Sequence, residues 1–87
     1  MTLDDALLAF YRLTERNEGL PPTLREFSDE CHLASGSPAF YWFRKLEEAD
    51  LIYTPGALLA EGSRSPRTVQ LTKAGLQRAY LLLEAVA

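Results

Sequence analysis

Apolar residues recur every three or four positions at the start of the chain, which predicts an amphipathic helix from Thr2 to about Asn17. The stripe that would face the core comprises Leu3, Ala6, Leu7, Phe10, Leu13 and Thr14, widened by Leu8 and Tyr11. Thr2 is a candidate N-cap, because its hydroxyl can accept from an amide of the first turn, where Asp4 and Asp5 also place favourable negative charge. Gly19 suits the C-terminal stop, and the two prolines that follow prevent continuation of the helix.

A short second helix and a tight turn are predicted next. Thr23-Leu24-Arg25-Glu26 has the pattern of a capping box, with a hydroxyl at the N-cap and a carboxylate at N3, and the helix that it begins ends near Cys31. The expected core face of this helix consists of Leu24, Phe27 and Cys31. Residues 32–34 form the predicted turn, in which Leu33 fills the space between two helices.

The third helix begins at Ser35 or at Ser37, and Pro38 takes its first position if Ser37 is the cap. Successive residues turn by about 100° around a helix, which predicts two opposite faces here. The predicted core face consists of Ala39, Phe43 and Leu46. The predicted outer face consists of Tyr41, Arg44, Lys45 and Glu48, with Phe40 and Trp42 on the flanks.

Two β-prone runs, residues 51–53 and 68–71, follow the third helix, and Pro, Gly and Ser residues interrupt the chain between them. They predict a hairpin with a long tip. Thr72 can cap a last helix over 73–86, which is apolar nearly all round and is therefore expected to be buried on most sides. The expected fold is mainly helical with a small β-hairpin, in a single domain over residues 1–87. Tandem short helices followed by a hairpin are typical of a winged helix-turn-helix, here a three-helix core with a wing and an extra C-terminal helix.

The composition fits one small domain, with 87 residues of which 47% are hydrophobic. Cys31 is the only cysteine, which excludes an intrachain disulfide and favours a reduced, cytoplasmic setting. Neither a secretory signal nor an apolar run of membrane-spanning length is recognised, so no membrane partner is expected. No catalytic constellation, phosphate-binding glycine loop or metal-ligand cluster stands out, so neither an enzyme nor a cofactor is expected.

The charge balance limits the choice of partner. The formal net charge is −3 and the pI is about 5.0, whereas a nucleic-acid-binding protein is expected to carry a basic patch. Segments 1–22, 23–73 and 74–87 are each acidic or neutral overall. Any DNA-binding patch must therefore come from the arrangement of side chains, and non-specific affinity should be weak.

A series of short motifs then connects the chain with a known family. These motifs are Leu7-Leu8, Phe10-Tyr11, Gly19-x-Pro21-Pro22-Thr23, Arg25-Glu26-Phe27, Phe43-x-x-Leu46, Leu51-Ile52 and Gly62-Ser63-Arg64. With them, the segment from Leu7 to Leu71 resembles the N-terminal DNA-binding domain of LexA-type repressors. The resemblance implies a transcription regulator that binds double-stranded DNA, either a repressor or a phage- or plasmid-type accessory protein. The base-contacting positions that it implies are Ser35, Ser37, Pro38, Phe40 and Tyr41.

The Leu71-Thr72-x-x-Gly75 junction is similar to the strand-to-helix joint of MarR- and PadR-type regulators, which dimerise through terminal helices. This second likeness, together with the apolar last helix, predicts a homodimer. The predicted dimer contacts are Leu76, Tyr80, Leu81, Leu82 and Leu83.

Each candidate DNA contact has a simpler alternative. Arg44 and Lys45 could contact phosphates or guanine edges, or could be solvated charges paired with acidic neighbours. Hydroxyls near helix starts could bind phosphate or act only as caps. The full set of candidates is Thr23, Arg25, Ser35, Ser37, Phe40, Tyr41, Arg44, Lys45, Arg64 and Arg67. Arg64 and Arg67, in the hairpin tip, could reach the minor groove or could serve loop solubility.

The main rival function is a protein-interaction module that uses the aromatic third helix without binding DNA. The acidic balance and the run Phe40-Tyr41-Trp42-Phe43 favour it, because aromatic side chains are enriched at protein interfaces, while DNA-binding surfaces are rich in cations. A purely structural domain of a larger assembly remains a third alternative. Salt distinguishes the first two, because DNA binding should weaken steeply as salt rises and an aromatic contact should barely respond.

Overall fold

The computed structural model describes residues 1–33, 37–54 and 69–86. Within these ranges the chain forms four α-helices and one two-stranded antiparallel sheet, which confirms the expected mainly helical class. The elements are α1 (Leu3–Arg16), α2 (Leu24–Glu30), α3 (Ser37–Glu48), β1 (Ile52–Tyr53), β2 (Gln70–Leu71) and α4 (Lys73–Val86). The predicted tip of the hairpin lies outside the described residues.

Helix α1 begins and ends as its local sequence predicts. The Thr2 hydroxyl accepts from the Asp5 amide at 3.1 Å, and the Asp5 carboxylate accepts from the Thr2 amide at 3.0 Å. These two bonds complete a capping box and lower the pKa of Asp5 below its ordinary value. At the other end the Gly19 amide donates to the Thr14 carbonyl at 2.8 Å, with Gly19 at φ 95°. Glycine adopts this left-handed conformation without steric cost, so the chain can reverse there.

The core lies where α1, α2 and α3 meet. The ring of Phe43 packs edge-on against Phe10 at 5.5 Å between centroids and against Phe27 at 5.1 Å. Leu46 and Ile52 are fully buried beside them, which extends the core from α3 into β1. The predicted core face of α3 is confirmed, because Ala39, Phe43 and Leu46 are all buried.

Helix α2 departs from its predicted pattern at its first turn. Leu24 is exposed, Cys31 is only partly buried, and Ser28 is buried next to Phe27. The reason is that a helix of seven residues touches the core mainly at its centre, so Leu24 at its start lies beyond the contact.

The turn after α2 forms as the sequence predicts. The Leu33 amide donates to the Ser28 carbonyl at 2.9 Å, and His32 takes φ 55° between them. This is the Schellman arrangement, in which the residue after the helix adopts the left-handed conformation. Leu33 then packs against the core, as expected for the residue that fills the space between α2 and α3.

Helix α3 begins at Ser37, which confirms one of its two predicted starts. Pro38 is then the second residue of the helix. The alternative start at Ser35 lies outside the described residues.

The sheet joins the end of α3 to the start of α4. Ile52 pairs with Leu71 and Tyr53 with Gln70, so each strand is shorter than its predicted run. Thr72 caps α4 by accepting from the Gly75 amide at 2.9 Å, which confirms the predicted cap. Its hydroxyl also donates to the Asp50 carbonyl at 2.6 Å. The cap of α4 is therefore bonded directly to the turn that follows α3.

Helix α4 is less enclosed than its composition predicts. Ala79 is fully buried and Leu82 packs against the core, while Tyr80 is 48% exposed and Leu81 is 64% exposed. An exposed ion pair of 3.1 Å joins Arg78 of α4 to Asp4 of α1. The expectation of burial on most sides is therefore wrong for the Tyr80 and Leu81 sides. None of the described helices combines the length and apolarity needed to cross a membrane.

Candidate functional site

The exposed side of α3 brings together four of the predicted site residues, Phe40, Tyr41, Arg44 and Lys45. With the neighbouring Glu48 they form what we call the outer α3 face. Phe40 is 54% exposed and Tyr41 is 52% exposed, and the charged members are exposed as well. Because Ala39, Phe43 and Leu46 hold the other side of the helix in the core, this orientation is fixed by packing.

Tyr41 is held between two neighbours on the same helix. Its ring meets Trp42 edge-on, with centroids 5.3 Å apart and an interplanar angle of 86°. The Lys45 Nζ lies 5.5 Å from the centroid of the Tyr41 ring, within range of a cation–π contact. Trp42 itself is partly buried and packs against the core. The exposed Tyr41 ring is therefore oriented by a side chain that the core fixes.

The two cations of the outer α3 face differ in their pairing. The Lys45 Nζ lies 3.7 Å from the Glu48 carboxylate, with both side chains largely exposed. Such a pair contributes only about 0–1 kcal/mol, so an incoming anion can displace it. Arg44 forms no ion pair or hydrogen bond within the part of the chain that the structure describes. Its guanidinium therefore remains available for a ligand of opposite charge.

Thr23 and Arg25, at the start of α2, have different environments. The Thr23 hydroxyl accepts from the Glu26 amide at 3.0 Å, and the Thr23 amide donates to the Glu26 carboxylate at 3.0 Å. Capping therefore occupies these groups, as the sequence predicts. Arg25 is exposed and has no ionic partner among the described residues. Arg25 is therefore a second candidate cation without an ionic partner among the described residues, at the start of α2.

Several predicted site residues are not described. Ser35, Arg64 and Arg67 lie outside the described residues, and of Ser37 the structure describes the backbone alone. The expected extension of the cationic surface from α3 to the hairpin tip therefore remains a prediction.

The predicted dimer contacts do not form one surface. Leu82 packs into the core of its own chain, Leu76 and Leu83 are partly buried, and only Tyr80 and Leu81 are exposed. Tyr80 also packs on Tyr11 of α1, with ring centroids 5.8 Å apart. Consecutive residues of a helix point about 100° apart, so Tyr80 and Leu81 point in different directions on the exposed side of α4. The exposed apolar area of α4 is therefore smaller than the sequence indicates.

Other polar features escaped the sequence analysis. The buried Ser28 hydroxyl oxygen has no hydrogen-bond partner among the residues that the structure describes. On α1, a hydrogen bond to Glu15, with partial burial and the nearby Tyr80, raises the pKa of Tyr11 to about 12. The i, i+4 spacing of Tyr11 and Glu15 was a signal that could have identified this pair.

No site for a cofactor or metal emerges from the described residues. They contain no group of three or more His, Cys, Asp or Glu side chains placed to hold a metal ion. A cleft of about 380 Å³ lies between the loop after α1, β2 and α4, and it is lined largely by Leu20, Pro21, Leu71 and Leu76. These side chains offer no titratable group for acid–base chemistry. The candidate site is the outer α3 face, which brings the exposed aromatic and cationic side chains together.

Comparison of the chain with models of protein families, with curated proteins and with solved structures finds no match.

Proposed function

We propose that this chain is a winged helix-turn-helix protein that binds double-stranded DNA and regulates transcription, as its resemblance to LexA-type repressors implies. The supporting architecture is two short helices joined by a tight turn, followed by two antiparallel strands. The observation that carries the proposal is the display of Arg44 and Lys45 on the side of α3 turned away from the core. In this arrangement α3 enters the major groove and α2 lies across the backbone.

The cations then have separate roles. Arg44 contacts a phosphate or the edge of a guanine, for which its planar donor group is suited. Lys45 gives up its ion pair with Glu48 to contact a phosphate oxygen. This exchange costs little free energy, because the ion pair is exposed. Arg25 contacts the backbone beside α2, and Arg64 and Arg67 are proposed to act from the hairpin tip. Because the net charge is −3, base contacts rather than bulk attraction must supply most of the specific affinity.

The first experiment selects bound fragments from random duplex DNA at moderate salt and then measures their affinity as salt rises. We expect an enriched sequence and a steep salt dependence. Arg44→Ala should reduce the slope of log K against log salt by about 0.9, the loss of one phosphate contact, or relax selection at one guanine.

The matched control is Arg12→Ala, which makes the same change in net charge. Arg12 is exposed on α1 on the side away from the buried Phe10, and it has no ionic partner among the described residues. Arg12→Ala should leave the slope unchanged. If the selection enriches no DNA sequence, or if the two variants change the slope of log K against log salt equally, the result would contradict DNA binding through α3.

We also propose that the protein acts as a homodimer through α4. Tyr80 and Leu81 are its most exposed apolar side chains, and a two-fold-symmetric dimer would read a two-fold-symmetric site. Sedimentation at high micromolar concentration should show a dimer, and Leu81→Asp should shift it to monomer. Gln77→Asp, at another exposed position of α4, is the control for added charge. If the natural protein sediments as a monomer, the dimer proposal is refuted, while binding of one copy of the protein to DNA is unaffected.

The second candidate function is a protein-interaction module. It is favoured by the exposure of Phe40 and Tyr41, each more than half accessible, and by the acidic residues at the end of α3. A partner protein held by these aromatic side chains should bind with little response to salt. An empty DNA selection would make this function the better account.

A further inference from the structure

Among the side chains that the structure describes at the beginning of α3, the exposed ones are aromatic, where a DNA-reading helix usually presents hydrogen-bonding groups. In helix-turn-helix proteins the N-terminal residues of the reading helix contact base edges. Here that part of the helix exposes Phe40 and Tyr41, while Ala39 is buried. Between them these two side chains have one hydrogen-bonding group, the Tyr41 hydroxyl.

The apolar group that a base offers in the major groove is the 5-methyl group of thymine, since cytosine has only hydrogen at that position. We propose that Phe40 and Tyr41 select DNA sites by packing against thymine methyl groups. This inference depends on the proposed function, because it requires α3 to lie in the major groove. The 5-methyl group of thymine is then the feature of the DNA sequence that α3 would read.

The order of side chains along α3 supports this placement. Each exposed aromatic residue is followed four positions later by a cation, Phe40 by Arg44 and Tyr41 by Lys45. Residues four apart lie on the same side of a helix, about 6 Å apart along its axis. With the start of α3 deepest in the groove, the rings meet base edges and the cations lie nearer the phosphates.

The acidic residues set the direction of insertion. Glu47 and Glu48 lie in the last turn of α3, and Asp50 follows it, all of them exposed. Carboxylates near phosphates are repelled, so this end must point out of the groove. The N-terminal end, which has the aromatic residues and the positive end of the helix dipole, is the one that fits against DNA.

The Tyr41 ring is also ordered before any partner arrives. Trp42 contacts it at 5.3 Å between centroids and the Lys45 ammonium lies 5.5 Å from its centre. A side chain that is already oriented loses little conformational freedom on binding, so its apolar contact contributes more to affinity. Tyr41 is accordingly expected to discriminate more strongly than Phe40, for which no such ring contact occurs among the described residues.

The test replaces thymine by uracil, one position at a time, in a duplex recovered by the selection experiment. Deoxyuridine keeps the base pair and removes only the 5-methyl group. For the natural protein we expect about fourfold weaker binding at each contacted thymine, the effect of losing one methyl contact. Thymines outside the protected region of the same duplex serve as internal controls and should show no change.

Variants then assign the contacts. Tyr41→Ala and Phe40→Ala should bind more weakly to the thymine duplex. Each variant should lose sensitivity to uracil at one position for every copy of the protein that is bound. Tyr41→Phe retains the ring and should retain the sensitivity. Circular dichroism checks that these exposed substitutions leave the fold intact, and the uracil series on the natural protein needs no variant.

The possible results distinguish a failure of methyl-group recognition from a failure of DNA binding. Duplex binding that is indifferent to uracil at every position would refute the reading of methyl groups and leave DNA binding in place. Failure to bind any duplex, even at low salt, would refute both. Sensitivity to uracil that persists in both alanine variants would overturn the assignment to Phe40 and Tyr41.

Discussion

Replacement of Gly75 by alanine tests how closely α4 is joined to the end of α3. A Cβ atom at this position would overlap the Leu51 carbonyl oxygen and lie 2.9 Å from its carbon and 3.2 Å from the Leu51 Cα. The same oxygen accepts from the Thr72 amide at 3.0 Å, and the Thr72 hydroxyl donates to the Asp50 carbonyl at 2.6 Å. The added methyl group therefore meets backbone that two hydrogen bonds hold in place, and α4 must shift to admit it.

The expected cost follows from three contributions. Overpacking against this backbone costs about 1–3 kcal/mol, and a weakened Thr72–Leu51 hydrogen bond costs about 1 kcal/mol more. Alanine is the better helix former by about 1 kcal/mol, which acts in the opposite direction. Gly75→Ala should therefore lower the free energy of unfolding by about 2 kcal/mol. For a domain of this size that corresponds to a fall in Tm of about 8–16 °C.

Urea and thermal unfolding followed by circular dichroism measure this change. Gln77→Ala, an exposed substitution two residues further along α4, is the matched control and should change stability by less than about 0.5 kcal/mol. If helix propensity alone governed position 75, the alanine variant would be the more stable protein. An unfolding free energy equal to or above that of the natural chain would refute the close approach of α4 to Leu51.

Three further predictions concern local interactions. Thr23→Ala removes the capping box with Glu26 and should lower the unfolding free energy by about 1 kcal/mol in urea titrations, while Thr23→Ser should preserve it. The hydrogen bond to Glu15 raises the pKa of Tyr11 from 10.0 to about 12, so the contribution of this bond to stability should be complete below pH 10 and lost as the pH rises towards 12. Unfolding measured as a function of pH should show this loss in the natural protein and not in Tyr11→Phe. Burial raises the pKa of the Cys31 thiol, so iodoacetamide should alkylate it more slowly in the folded protein than in urea, and equal rates would contradict its burial.

The elements that the sequence predicts well are those determined by neighbouring residues. The capping partners Thr2 and Asp5 lie three positions apart, so their geometry follows once a helix begins. The outer α3 face is predictable for a related reason. Once Phe43 and Leu46 are assigned to the core, the periodicity of the helix leaves Arg44 exposed.

The features that the sequence does not reveal depend on how distant segments approach each other. Leu24 has the spacing of a core residue, but the short α2 turns it towards solvent. On α4, near-uniform apolarity gives no indication that Leu82 packs inward while Leu81 is exposed. The contact of Gly75 with Leu51 joins two turns more than twenty residues apart, and no local pattern encodes it.

In the proposed complex with DNA, the negative net charge would limit the orientations in which the protein binds. A uniformly basic surface would accept a duplex in many orientations, and such binding carries no sequence information. On α3 the aromatic side chains come first, Arg44 and Lys45 follow, and Glu47 and Glu48 come last. Only insertion by the N-terminal end brings phosphates to the cations while keeping them away from the carboxylates. In the proposed function, the acidic residues would thus weaken the competing, unselective modes of binding more than the productive one. The ratio between specific and non-specific binding is what a DNA-binding regulator requires.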